Sequence, residues 1–215
     1  GLCPGTTHYF AMKSTNTAGV SELDTSYPEP SAEAGIFYLL WNSTEVCNTY
    51  SVACGDYDND GNLDQLVGTS QGPKVYHNNN NGTFACVWTQ PSPTAVCEHV
   101  AWGDFDNDGD LDFFAGNSYG ALNRIYCNNG GGNFSSVWVS AQTDEIASGV
   151  AVGDFNNDGK LDFAVGWNNG VRVYRNEGDY RFAVAWQLSG LPNYAVNSCA
   201  FGDYNNDGFL DLLVG

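Results

Sequence analysis

Apolar and polar residues alternate in short runs from about Phe37 to the end of the chain, and Gly, Asn or Asp bounds each run. No stretch carries the 3.6-residue period of a helix, so the pattern predicts an all-β protein with many turns. In one unit the runs fall at about Phe84–Thr89, Val96–Gly103, Leu111–Gly116 and Leu122–Cys127, which predicts four short strands grouped in that order. A turn rich in Asn and Gly, residues 128–133, separates the last strand from the next Phe. Both residue types tolerate positive φ, which suits a tight hairpin.

The unit repeats. A nine-residue acidic segment begins at Asp56, Asp104, Asp154 and Asp203, with start-to-start spacings of 48, 50 and 49 residues. Gly55, Gly103, Gly153 and Gly202 precede the four copies, and Gly68, Gly116, Gly166 and Gly215 stand twelve residues after each first Asp. Tyr76, Tyr126 and Tyr174 come next, each followed eight residues on by Phe84, Phe134 or Phe182, and four further by Trp88, Trp138 or Trp186. Phe37 and Trp41 show the same Phe-to-Trp spacing. Four strands in a unit of about 40 to 50 residues is the period of a β-propeller blade. About four units are visible, so the ring is expected to be incomplete within this chain.

The acidic segment has the spacing of a cation loop. Position 1 is Asp56, Asp104, Asp154 and Asp203. Position 3 is Asp58, Asp106, Asn156 and Asn205. Position 5 is Asp60, Asp108, Asp158 and Asp207, and position 9 is Asp64, Asp112, Asp162 and Asp211. Calcium takes six to eight hard oxygen ligands, and side chains at positions 1, 3 and 5 converge on one point if the chain turns sharply. Gly61, Gly109, Gly159 and Gly208 at position 6 permit that turn. Position 7 holds Asn62, Asp110, Lys160 and Phe209, four unlike side chains, as expected where only the main-chain carbonyl is a ligand. Position 8 is always Leu, expected to plug the core beside the ion, and position 2 is always Tyr or Phe, expected in the core. Up to four Ca²⁺ are therefore expected. The third and fourth loops, with Asn156 and Asn205, carry one charge fewer and should bind more weakly.

The motif Gly103-Asp104-Phe105-Asp106-x-Asp108-Gly109-x-x-Asp112 resembles the FG-GAP/VCBS-type repeat, the class that includes integrin α-subunit head propellers. The resemblance covers roughly residues 37–215. It implies a β-propeller, commonly seven-bladed, with calcium held by the loop residues named above. At the other end, Leu2-x-Pro4-Gly5-Thr6-Thr7-His8-Tyr9-Phe10 with Asn16-x-Ala18-Gly19-Val20-Ser21 is similar to the last two strands of a fibronectin type III domain. That family usually has Tyr where His8 stands. The resemblance implies a sandwich fragment over residues 1–28, and the Pro-containing residues 29–36 read as a linker. Both ends look cut inside a domain. Other domains or subunits are therefore expected to complete the propeller and the sandwich, either in flanking sequence or by strand exchange.

Composition narrows the functional classes. Seven Lys plus Arg against 25 Asp plus Glu give a formal net charge of −18. Such a chain cannot neutralise a phosphate backbone, which argues against nucleic acid, and an anionic membrane surface would repel it. No apolar run approaches the roughly 18 residues that span a bilayer. All aspartates but Asp24, Asp144 and Asp179 lie in the four loops, where divalent ions would relieve their repulsion. The 7 Cys form no C-x-x-C pair, so zinc and thioredoxin-like chemistry are not expected, whereas Cys86 and Cys97 could pair across a strand connection. The cysteines point to an oxidising, extracellular setting; three sequons, at Asn42, Asn81 and Asn133, are about what chance gives, though Asn81 and Asn133 fall in predicted hairpin turns where a glycan would be tolerated. Trp41, Trp88, Trp102, Trp138 and Trp186 are expected to pack the blades. Trp167, beside Asn168 and Asn169, is a candidate for stacking a sugar ring. No nucleophile motif or acid–base pair is visible. The expected function is a non-enzymatic, calcium-stabilised extracellular structural or adhesive module of a larger surface protein or fibre. The alternatives are a glycan-binding propeller and, third, the propeller of a polysaccharide-acting enzyme.

Overall fold

Turns rich in Asn, Asp and Gly return the chain beside itself, so successive strands pair antiparallel. The computed structural model describes residues 11–15, 36–43, 45–91, 95–118, 120–141, 146–190 and 196–215. Strands β1 (Ala11–Thr15) and β2 (Ile36–Trp41) form a two-stranded sheet. The first four-stranded sheet is β3 (Thr49–Gly55), β4 (Asp64–Thr69), β5 (Gly72–Asn78) and β6 (Phe84–Thr89), in that order. The second is β7 (Cys97–Gly103), β8 (Asp112–Asn117), β9 (Arg124–Asn128) and β10 (Phe134–Val139). The third is β11 (Gly149–Gly153), β12 (Asp162–Trp167), β13 (Gly170–Asn176) and β14 (Phe182–Ser189). A pair, β15 (Cys199–Gly202) and β16 (Asp211–Val214), follows. The first strands β3, β7, β11 and β15 contact one another in succession, the arrangement of propeller blades, and the ring is not closed within the chain. Among the described residues no helix is long and apolar enough to cross a membrane.

The strands lie where the alternation predicts, but their grouping is shifted by one. Phe84–Thr89 does not open the second unit. It hairpins onto β5 and closes the first sheet, because the turn at residues 79–83 returns the chain at once. The longer connection after Thr89 crosses to the next sheet. Each of the three complete sheets also carries a register shift in its last hairpin. Val75 pairs with Trp88 and Tyr76 with Cys86, leaving Val87 as the extra residue. Val137 and Ala185 occupy the same place in the other two sheets. A bulge re-aims the side chains beyond it. As a result Phe134 packs back on Tyr57 and Trp88 of the first sheet, while Trp138, four residues on, packs forward on Phe163, Tyr174 and Phe182 of the third.

The core consists of layers between sheets. One joins Leu66, Val75 and Trp88 to Val100, Phe113, Tyr126 and Phe134, and the next joins Phe114 and Ile125 to Phe163, Val165 and Tyr174. The repeated glycines mark where blades touch. A Cβ on Gly55 would stand 2.8 Å from the Leu111 side chain, and one on Gly103 3.1 Å from that of Leu161. Leu111 and Leu161 therefore pack against the preceding blade. Leu63, which has no such described neighbour, is exposed. The position-2 aromatics likewise serve the following blade: Tyr57 and Phe105 are buried, whereas Tyr204 is exposed.

The Cys86–Cys97 pair is not formed. Cys86 lies on the outermost strand of the first sheet and Cys97, fully buried, on the innermost strand of the second, so their sulfurs do not meet. The six described cysteines are free, and Cys3 lies outside the described residues. Most of residues 1–28 and 29–36, assigned to the sandwich strands and the linker, also lies outside them. The described part, Ala11–Thr15, is hydrogen-bonded to β2 with a register shift opposite Trp41.

Candidate metal centres

Each acidic loop joins the first two strands of its sheet, and one hydrogen-bond pattern shapes all four. The position-1 carboxylate accepts two main-chain N–H groups, from positions 5 and 6. Asp56 takes those of Asp60 (3.0 Å) and Gly61 (2.8 Å), and Asp203 those of Asp207 (3.1 Å) and Gly208 (2.9 Å). Asp104 and Asp154 do the same. The position-5 carboxylate accepts the N–H of position 7, as Asp60 does from Asn62, Asp108 from Asp110, Asp158 from Lys160 and Asp207 from Phe209. That bond uses the main chain of position 7 whatever its side chain. The glycine at position 6 is required by backbone geometry, with φ between +82° and +96° in the first three loops.

Position 9 anchors the loop to the sheet. Asp64, Asp112 and Asp162 are buried, and each accepts the N–H of its own position-2 residue and that of an Asn ending the third strand. Burial pushes the Asp64 carboxyl above its ordinary range, and pushes those of Asp112 and Asp162 up to about 6. These are charges that a bound cation would stabilise. Asp60 moves the other way, because the Asn62 side chain and main chain donate to it.

The structure brings Asp56, Asp58 and Asp60 together, with one oxygen from each within 4.8 Å of the others, and does the same for Asp104, Asp106 and Asp108. In the third and fourth loops Asn156 and Asn205 take the place of a carboxylate, each accepting the position-5 N–H at 2.8 Å. The position-7 side chains meet different partners: Asn62 donates to the position-5 Asp60 at 3.0 Å. Asp110 accepts from Asn59 of the neighbouring loop at 2.8 Å, and the Lys160 ammonium lies 3.4 Å from Asp158. Phe209 is exposed.

Two sets of asparagines were missed. Asn59, Asn107, Asn157 and Asn206 at position 4 all have positive φ. The first three donate across to the position-6 carbonyl of the next loop: Asn107 to Gly159 at 2.8 Å and Asn157 to Gly208 at 2.7 Å. Asn78, Asn128 and Asn176 end the third strands. Asn128 and Asn176 donate back to the position-2 carbonyls of Tyr57 and Phe105 in the preceding blade. Both sets were visible as repeats, the second lying two residues after each repeated Tyr.

Trp167 does not offer a face to a sugar. It ends β12, is only 6% exposed, and the Arg172 guanidinium sits 5.0 Å over its ring. Asn168 and Asn169 beside it are exposed, whereas the Trp itself is not.

Four-stranded antiparallel blades joined through regularly spaced acidic loops define a repeat β-propeller. The FG-GAP-like repeat matches residues 56–115, 104–165 and 163–214, so the chain belongs to that family. Among solved structures, it is similar to an Agrocybe aegerita lectin described for specific recognition of non-reducing terminal N-acetylglucosamine. The likeness has a TM-score of 0.60 at 19% identity, over 84% of this chain and 52% of the lectin, so the chain spans about half that protein's length. A second likeness, to BBS1N in complex with ARL6DN, has a TM-score of 0.42 at 15% identity, over 85% of this chain and 66% of that one. None of the curated proteins matches.

Proposed function

We propose that the chain is a calcium-stabilised, non-enzymatic propeller segment that serves outside the cell as a structural or adhesive part of a larger surface protein or fibre. The observation that carries this reading is the loop geometry, repeated four times. Main-chain N–H groups fix carboxylate and amide oxygens around one point at an exposed blade edge, where like charges repel unless a cation lies between them. An all-oxygen set of this kind fits a hard cation. Asp56, Asp58, Asp60 and Asp64 would hold it in the first loop, and Asp104, Asp106, Asp108 and Asp112 in the second. Asp154, Asn156, Asp158 and Asp162, then Asp203, Asn205, Asp207 and Asp211, would serve the third and fourth. The position-7 residues Asn62, Asp110, Lys160 and Phe209 would contribute main-chain carbonyls. Four divalent ions would offset eight units of the net charge of −18.

The loops are tied to one another through the position-4 asparagines, so a cation that fixes one loop also steadies the blade beside it. The lectin likeness, at 19% identity, supports the architecture and not a ligand. The expected partners are other domains or subunits that pack on the open blades, and surface proteins.

Thermal melting with and without chelator tests the calcium reading. A site at a thousand times its Kd contributes about 4 kcal/mol. For a chain of this size that corresponds to a loss of roughly 10 °C or more on calcium removal. An unchanged melt in excess chelator would overturn it. Adhesion is tested by coating beads with the chain and measuring calcium-dependent capture on cell surfaces; capture that ignores the chelator counts against it.

A further inference from the structure

The two ends of the row of sheets are unlike, and each lacks what the other holds. β1 and β2 pair with Ala11 opposite Trp41 and Met12 opposite Leu39, which leaves Leu40 as the extra residue. The first complete sheet has the same bulge between its third and fourth strands, with Val75 opposite Trp88, Tyr76 opposite Cys86 and Val87 extra. By register, β1 and β2 are therefore the outer half of a blade. Trp41 packs forward on Tyr76 and Phe84, just as Trp88 packs forward on Tyr126 and Phe134. At the other end β15 and β16, joined by an acidic loop, match the first two strands of each complete sheet, the inner half of a blade.

The flanks beside these halves are complementary. Between complete blades, the glycines of one receive side chains of the next: Trp102 and Leu111 close on Gly55, and Val100 closes on Gly68. On the last sheet the matching Gly202 and Gly215 have nothing within 4 Å of where a Cβ would stand. On the first sheet Val52 and Leu63, which match Val100 and Leu111, are exposed. The polar ties stop short in the same way. Asn107 and Asn157 donate to the next loop, whereas Asn206, at the same position, makes no such bond among the described residues. Asn128 and Asn176 donate to the position-2 carbonyl of the preceding blade, whereas the Asn78 amide donates to Leu63 O within its own blade.

We propose that a second copy of this chain docks head to tail across these flanks, with β15 and β16 of one copy and β1 and β2 of the other forming one four-stranded blade. In that blade β16 pairs with β1, and Val52 and Leu63 of one copy seat over Gly215 and Gly202 of the other. Asn78 reaches the Tyr204 carbonyl and Asn206 the Gly61 carbonyl across the joint. The outer half also comes to the apolar groove that Trp186 lines with Phe201, Leu212 and Val214. In the complete interfaces the matching place beside Trp88 and Trp138 is filled from the third and fourth strands of the next blade. The joint thus continues the two internal interfaces residue for residue, which selects a copy of this chain over an unrelated partner. Two joints close a ring of two copies with four blades from each, within the range of about four to eight that propellers use. The lectin propeller is of matching size, since one chain covers 52% of it. The joint is heterologous, and closure by a two-fold axis stops it from growing into a filament. The inference rests on the reading of the chain as a propeller segment that packs with other subunits, and names the subunit.

Sedimentation velocity of the chain in excess calcium, from about 1 µM to about 100 µM, tests it across the range of modest association. The dilute chain should be monomeric with both flanks open, and the concentrated chain should have twice the mass. Amide hydrogen exchange of β1 and β16 should slow over the same range, a readout that needs no variant. Leu63→Arg and Tyr204→Arg each change an exposed side chain, one on each flank, so both should fold. Each alone should weaken association about tenfold or more, because both joints carry the change. Their equimolar mixture should recover a dimer, because one joint then has two unaltered flanks. A chain that stays monomeric throughout overturns the proposal and leaves the calcium reading to the melting test. A dimer that neither variant weakens, or that the mixture does not recover, is joined by other surfaces and also overturns it. A dimer that forms equally in chelator and is recovered by the mixture upholds the joint and counts against the calcium reading.

Discussion

The interface between the first and second sheets and the flank of the third sheet carry the same signature residues in opposite states. At the interface Trp88 is 9% exposed, set among Phe113, Tyr126 and Phe134, and its indole N–H donates to Phe134 O at 3.1 Å. At the flank the equivalent Trp186 is 51% exposed and lines an open apolar groove of about 290 Å³ with Phe201, Leu212 and Val214. Tyr57 is 4% exposed, and its counterpart in the loop between β15 and β16, Tyr204, is 82% exposed. The repeated aromatics are therefore not the private core of each blade. They are half of an interface whose other half comes from the next sheet, and a blade without that neighbour leaves them open.

The contrast is broken most sharply by removing the Trp. Trp88→Ala should cost about 3–5 kcal/mol in denaturant unfolding, as for a large buried aromatic, while Trp186→Ala should cost under about 1 kcal/mol. Equal losses would mean that the flank is covered in solution.

The position-9 aspartates give a smaller contrast. Asp112→Ala strands the N–H groups of Phe105 and Asn128, both at buried residues, and should cost about 2 kcal/mol or more. Asp211 accepts from the exposed Tyr204, so Asp211→Ala should cost less than half of that in chelator. Unfolding curves of the two variants decide it.

Smaller again is the tie between loops. Asn107→Ala removes the bond to Gly159, and Asn206→Ala removes no such bond among the described residues, though both sit at positive φ (62° and 59°). The backbone strain is common to both, so their difference, expected at about 1 kcal/mol, isolates the tie. Matching losses would show that the bridge contributes nothing.

The slightest effect should be on pH. Without divalent ions, Asp112 and Asp162 titrate near 6 in the folded chain, above the unfolded carboxylate value of about 3.9. The folded state then holds more protons between those values, so these two groups make stability fall as pH rises from about 4 to 6 and level off above. Asp60 and Asp158, whose carboxyls are lowered, oppose that trend and leave a modest slope. Melting in chelator at pH 4.5 and pH 7 measures it. Calcium should raise the melt more at pH 7 than at pH 4.5, and equal gains would contradict this account of the buried carboxylates.

Much of this was legible along the chain because it is local. A nine-residue loop closes on its own N–H groups, and a strand's alternation shows wherever it pairs, so the loops and strands stood out in the spacing. The position-4 asparagines were equally regular, yet their role depends on the next loop, which spacing alone does not bring near. The sugar-stacking reading of Trp167 failed for a related reason: the residue that covers it, Arg172, arrives from the returning strand.

Spacing and residue type alone established an all-β repeat with acidic loops, since hydrogen bonding within a few residues is decided by those residues. Which sheet each outer strand joins, the opposite facing of Phe134 and Trp138, the separation of Cys86 from Cys97 and the approach of His77 to Asp58 and Asp64 were decided only in three dimensions. Each depends on a bulge or a neighbouring sheet, and a single inserted residue reverses the face on which every later side chain falls.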